Sequence, residues 1–81
     1  SLAHDLAPHA VRVNCILPGM VVTERQMQLW LTEESIARSV EQQCLKVALT
    51  ADAIVGPCLF LASDCAAAMT AQSLIVDGGV L

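Results

Sequence analysis

The 81-residue chain is 56% hydrophobic and has a formal net charge of −4, with Arg12, Arg25, Arg38 and Lys46 as its fixed cations. So short a chain makes one small domain at most and cannot by itself hide that much apolar surface, so cover from further chain or from a second copy is expected. The scattered cations exclude nucleic acid as a partner, and no apolar run approaches the roughly 18 residues of a membrane span or forms a secretory leader, so a soluble, cytoplasmic protein is expected.

Residues 1–10, SLAHDLAPHA, put Leu2, Ala3 and Leu6 at helical spacing and Pro8 where a helix should stop. They predict the last turns of a helix that begins without a cap, as if cut inside an element. Residues 11–17, VRVNCIL, alternate Val11, Val13, Cys15 and Leu17 with Arg12, Asn14 and Ile16 and are rich in β-branched side chains, which predicts a strand ended by Pro18 and Gly19. The stretch from Thr23 to Leu49 is helix-prone. Thr32 followed by Glu33 and Glu34 is a good N-cap with acidic first-turn residues, so two helices divided there are expected. Met27, Leu29, Trp30 and Leu31 mark the first, and Ile36, Val40, Cys44 and Val47 extend the second.

Thr50, with Asp52 behind it, is the expected cap of a further helix whose residues 53–62 are apolar on every side. Such a helix is expected to be buried all round, and Pro57 inside it to kink it. Ser63 and Asp64 should stop it and cap one short turn. Leu74 to Val76 then predict a short strand without polar alternation, of the kind found in parallel sheets covered on both faces. Strand, long helical crossover, strand is a right-handed βαβ unit with adjacent parallel strands, so the fold class is α/β in a single unit spanning residues 1–81.

Two stretches, SLAHDLAPHAVRVNCILPGMVVT and FLASDCAAAMTAQSLIVDGG, resemble the C-terminal part of the short-chain dehydrogenase/reductase family, in order and at the right distance. The resemblance places all 81 residues in the last third of that family's Rossmann-like, doubly wound parallel sheet. It implies that residues 11–17 form the sixth strand and residues 73–76 the seventh. It implies further that PGMVVT, residues 18–23, is the nicotinamide-side loop of an NAD or NADP site, with Pro18, Gly19, Val21 and Thr23 as cofactor-binding residues. Helices from Glu24 to about Leu49 would form the substrate lid, and residues 53–62 and 73–81 the surfaces that pair subunits into a homo-oligomer. GMVVTERQMQLWLTEES, QCLK and TAQSLIVDGG look most like family members acting on sugars or polyols.

The corner also makes physical sense as a binding feature. Ligands of open α/β sheets lie beyond the carboxyl ends of strands; Gly19 permits close backbone approach, and Thr23 supplies a hydroxyl that donates and accepts. The plainer reading is an ordinary Pro-Gly turn with Thr23 as an ordinary helix cap. Trp30 with Met27 fits a core pair, and in a lid Trp30 is also a candidate substrate contact.

No catalytic residue can be assigned. The family's acid/base step needs a tyrosine with a lysine four residues on; this chain has no tyrosine, and Lys46 falls in the lid. No glycine-rich phosphate-binding turn is present. His4, His9 and Asp5 read as a solvated helix end rather than a metal or acid/base group, Glu33 and Glu34 diverge on a helix, and Asp77 before Gly78 and Gly79 reads as turn chemistry. Cys15, Cys44, Cys58 and Cys65 contain no CxxC pair; they are expected to be small buried hydrophobes, with no metal site. Two readings follow: the C-terminal part of an NAD(P)-dependent oxidoreductase of a small-molecule alcohol or carbonyl, or a non-catalytic fragment that only associates with itself or a partner chain.

Overall fold

The computed structural model describes residues 1–80. Helix α1 (Leu2–Leu6) and a 3-10 turn over Ala7–His9 lead to strand β1 (Cys15–Pro18), and the chain continues through β2 (Val21–Val22), α2 (Glu24–Leu29), α3 (Glu33–Gln42), β3 (Leu49–Thr50), α4 (Asp52–Ala62), a 3-10 turn over Asp64–Ala66, and β4 (Ser73–Val76). β1 and β4 pair in parallel with Cys15 opposite Ser73 and Pro18 opposite Val76, and α4 packs against both. This is the strand, helical crossover, strand order expected of an α/β chain. A second parallel pair, Val21 with Leu49 and Val22 with Thr50, closes the neck of the loop that contains α2 and α3.

Local chemistry explains most element ends. Pro8 falls in the first turn of the 3-10 segment, where its missing N–H costs nothing. α1 has a cap after all: the Ser1 hydroxyl accepts from the His4 amide at 3.3 Å. Thr32 caps α3 as expected, accepting from Ser35 N at 3.1 Å while Ser35 Oγ accepts from Thr32 N at 2.9 Å, a reciprocal capping box. Ser63 ends α4 and accepts from Cys65 N at 3.2 Å, starting the predicted short turn.

Several expectations are corrected. The strand begins at Cys15 rather than Val11, because residues 12–14 are partnered irregularly: Val13 N donates to Thr70 Oγ1 at 3.0 Å and Ala71 N to Val13 O at 2.8 Å. α3 ends at Gln42, so Cys44 and Val47 leave the helix; Cys44 N and Leu45 N donate instead to the carbonyls of Gly79 and Gly78. Thr50 does not cap α4, since the bridge to Val22 engages it and Ala51 occupies the cap position without a side-chain bond. Pro57 lies inside α4, as expected, and the helix extends from Asp52 to Ala62.

Much apolar surface is left exposed, as so short and hydrophobic a chain leads one to expect, but α4, Trp30 and the cysteines are not buried within these residues as expected. Among the described residues the buried apolar side chains are Ala3, Leu49 and Ala66, and α4 has no buried residue: Leu59 is 64% exposed and Phe60 41%. All four cysteines are exposed rather than buried, and Trp30, at 77% exposure, is not core. The β1–β4 pair is covered on one face only, leaving Leu17 and Ile75 open on the other. The radius of gyration, 15.4 Å, exceeds the about 12 Å of a compact chain of this length. The physical reason is common to all of these: two strands and one packed helix cannot enclose a 56% hydrophobic composition. Within the surface expected to pair subunits, Leu81 lies outside the described residues.

Candidate functional site

The corner that follows β1 is assembled from β1, β4, β2, β3 and α2. Gly19 N donates to Val76 O at 3.0 Å, which ties the exit of β1 to the exit of β4. A Cβ at Gly19 would lie 2.8 Å from Asp77 Cβ and 2.9 Å from its Cα, so only glycine allows this approach. Two residues on, Val21 and Val22 pair with β3. Successive strand residues turn their N–H and C=O to opposite sides, so one of these two valines keeps a donor and an acceptor facing away from β3. Thr23 then stands at the N-cap of α2, its Oγ1 accepting from Gln26 N at 3.2 Å. That bond uses an oxygen lone pair and leaves the hydroxyl proton for another acceptor.

The corner separates two clefts. Toward α4 is an apolar cleft of about 480 Å³, lined by Pro18, Val21, Ile54, Val55, Cys58 and Leu59 among others. Toward α3 is a more polar one of about 280 Å³, where Gly19 and Met20 meet Ser39, Gln42, Gln43 and Asp77. An apolar slot beside an outward-facing N–H and C=O can receive a flat ring bearing an amide, with no charge required of the protein. Pro18 borders both clefts, Val21 lines the apolar one and Gly19 the polar one, while Thr23 follows at the N-cap of α2 and lines neither. Trp30, which ends α2, lines neither cleft and projects into solvent.

Sequence reasoning missed two contributors. Leu49 and Thr50 hold Val21 and Val22 in place, and a two-residue bridge leaves no periodicity to detect. Gln43, buried among exposed neighbours, stands where the corner meets α3, and nothing in its local sequence sets it apart from Gln42. Asp77 behaves as read: its Oδ1 accepts from Gly79 N at 2.8 Å and Val80 N at 3.1 Å. His4 bonds Ser1 at an exposed helix end, and no group of three or more His, Cys, Asp or Glu able to hold a metal occurs among the described residues. No described helix is long and apolar enough to cross a membrane.

The family model described as enoyl-(acyl carrier protein) reductase matches residues 1–81. This chain belongs to the short-chain dehydrogenase/reductase family. Among its relatives are the probable galactose dehydrogenase GalD of Rhizobium meliloti, 71% identical over 80 residues that cover 99% of this chain and 31% of the relative, and the D-xylose 1-dehydrogenase of Caulobacter vibrioides, 40% identical over 98% of this chain and 32% of that protein. Solved structures agree on the Rossmann fold. A hydroxysteroid dehydrogenase from Escherichia coli superposes with a TM-score of 0.88 at 28% identity, covering 99% of this chain and 33% of that one. A 4-hydroxyisoleucine dehydrogenase complexed with NADH gives 0.85 at 26% identity, with coverages of 98% and 32%. The chain thus spans about a third of the length of its short-chain dehydrogenase/reductase relatives.

Proposed function

We propose that these 81 residues are the C-terminal third of an NAD(P)-dependent dehydrogenase of a sugar or polyol, and that they supply the nicotinamide-side wall, the substrate lid and a subunit interface. The observation that carries this is the 71% identity to a probable galactose dehydrogenase through a corner built for close backbone approach. The residues fit the cofactor: the apolar cleft beside Pro18 and Val21 suits the ring, the outward N–H and C=O in β2 suit the carboxamide, and the Thr23 proton suits an acceptor beside it. When bound, the dinucleotide would supply the hydride acceptor for oxidation of a carbinol, whose hydroxyl proton would go to the acid/base residue, and in its reduced form the hydride donor for the reverse. Pro18 and Gly19 fix the wall, Val21 and Thr23 orient the ring, and α2 and α3 exclude water above it. Trp30, exposed on the lid, is positioned to meet substrate once the lid closes.

In this reading the acid/base residues lie upstream of Ser1, so the 81 residues alone turn nothing over. In the complete protein, reduction of NAD+ or NADP+ at 340 nm is expected with aldoses, galactose among them. Thr23→Val is expected to raise the KM for dinucleotide about tenfold, as loss of one hydrogen bond to a bound ligand does. No turnover with either dinucleotide and a panel of aldoses and polyols would remove the reading.

Cover for the exposed apolar surface is part of the same proposal. β1 and β4 each have an open edge among the described residues, and the exposed side of α4 presents Phe60 away from both corner clefts. We place the upstream strands against the edge of β1, and a second copy against α4 and β4. Phe60→Glu in the complete protein should therefore lower the assembly order in sedimentation. An unchanged sedimentation coefficient would move the subunit contact elsewhere.

A further inference from the structure

We propose that Gln43 is a positioning residue that latches the end of α3 to the turn after β4, and through that turn to the Gly19 corner, so that it sets how readily the lid closes on substrate. The proposal rests on the reading of α2 and α3 as that lid. Gln43 is 3% exposed in a stretch whose neighbours Gln42, Cys44, Leu45 and Lys46 are all exposed. Burying a primary amide is costly unless its hydrogen bonds are made, and here they are. Nε2 donates to the carbonyls of Leu45 and Val47, each at 2.9 Å, which curls residues 43–47 into a tight loop. Lys46 Nζ donates to the carbonyls of Glu41 and Gln43, so the frayed end of α3 is drawn into the same loop.

The loop is fastened to the turn that follows β4. Leu45 N donates to Gly78 O at 2.9 Å and Cys44 N to Gly79 O at 3.2 Å. A Cβ at Gly78 would lie 3.0 Å from both Cδ and Nε2 of Gln43, so the amide rests directly on the glycine. Asp77, whose side chain braces that turn, is also the residue against which Gly19 packs. Corner, Asp77, Gly78 and Gln43 therefore touch in succession.

Neither α2 nor α3 contains a buried residue, so little packing fixes where they stand. Their position depends on two anchors, the β2–β3 neck at one end and the Gln43 loop at the other. Loss of the two amide donors leaves the Leu45 and Val47 carbonyls without them and frees the second anchor. Substrate must then select the closed lid from a broader ensemble, and its apparent affinity falls by the fraction of closed lid lost. The dinucleotide, held by the corner before the lid closes, is not subject to that fraction.

The test is Gln43→Glu in the complete protein, which keeps shape and removes both N–H donors at neutral pH. Amide hydrogen exchange is expected to speed tenfold or more at residues 44 and 45 and through α3, with β1 and β4 unchanged. KM for the sugar is expected to rise tenfold or more, with kcat within threefold and the dinucleotide Kd within twofold. A residue that merely supports the fold would lower the melting temperature and the active fraction and leave KM alone. The proposal is overturned if exchange at 44, 45 and α3 is unchanged, if KM stays at its wild-type value, or if the dinucleotide Kd rises in step with KM. If Gln43→Glu does not fold, Gln43→Asn keeps the donors on a shorter arm and should give the same pattern at smaller size. If the wild-type protein oxidises no sugar, the functional reading falls while the exchange data still decide the latch.

Discussion

Gly19→Ala is expected to cost about 2–3 kcal/mol of stability and about 100-fold in kcat/KM, the largest loss for the smallest chemical change in this chain. An alanine Cβ would stand 2.8 Å from Asp77 Cβ and 2.9 Å from Asp77 Cα, closer than such atoms come. The obstruction is main chain at the end of β4, so no rotamer change relieves it. Relief requires the exits of β1 and β4 to part, which stretches the 3.0 Å bond from Gly19 N to Val76 O. The same movement shifts Pro18 and Val21, which line the apolar cleft. A displacement of about 1 Å in a group that orients a reactant can cost 100-fold. The urea midpoint and kcat/KM of the complete protein measure both effects. Wild-type values for both would show that the corner tolerates a side chain and is not the close approach described above.

What was legible in the sequence was local. Alternation ending in Pro18 and Gly19 marked β1, the apolar run before Asp77 marked β4, and Thr32 with its following acids marked the start of α3; all three elements are present, with β1 shortened. The turn at Pro18 and Gly19 and the cap at Thr23 were legible for the same reason, since Pro, Gly and Thr each impose a backbone or capping requirement that can be read one residue at a time, whereas a cofactor role for them and for Val21 rests on the family resemblance. Features that depend on distant partners were not. The end of α3 is decided by the carbonyls of Gly78 and Gly79, more than 30 residues away, so the apolar series through Cys44 and Val47 pointed to a helix that tertiary bonds break. Thr50 had the side chain of a cap, but its main chain pairs with Val22 and the helix starts one residue later, with Ala51 at the cap, for which no sequence signal exists. Burial was misjudged at α4, Trp30 and the four cysteines because hydrophobicity states what a residue would bury against, not whether that surface is within the same 81 residues.

Asn14→Ala should lower stability by about 2–3 kcal/mol, because one amide completes the turn that sets the register of the sheet. Its Nδ2 donates to Met69 O at 3.0 Å and its Oδ1 accepts from Gln72 N at 3.1 Å, so both ends of the turn over residues 69–72 are held by a single half-buried side chain. Ala71, inside that turn, has a φ of 59°, a left-handed conformation that costs a non-glycine residue about 1 kcal/mol and persists only where neighbours enforce it. Cys15 N to Gln72 O at 2.9 Å then starts the β1–β4 ladder. With alanine at residue 14, Gln72 N loses its partner and Met69 O keeps only the longer bond from Arg12, so the strained turn loses its brace and the ladder begins from a frayed end. Arg12, which donates to Met69 O and Ser63 O at 3.3 Å each, holds the turn from the other side but does not reach Gln72. Asn14→Asp separates the two bonds: it keeps an acceptor for Gln72 N and sets an oxygen against Met69 O. A loss from Asn14→Asp as large as that from Asn14→Ala identifies the Met69 bond as the one that matters. Wild-type stability in both variants would mean that the register of β1 on β4 is fixed by the strands alone.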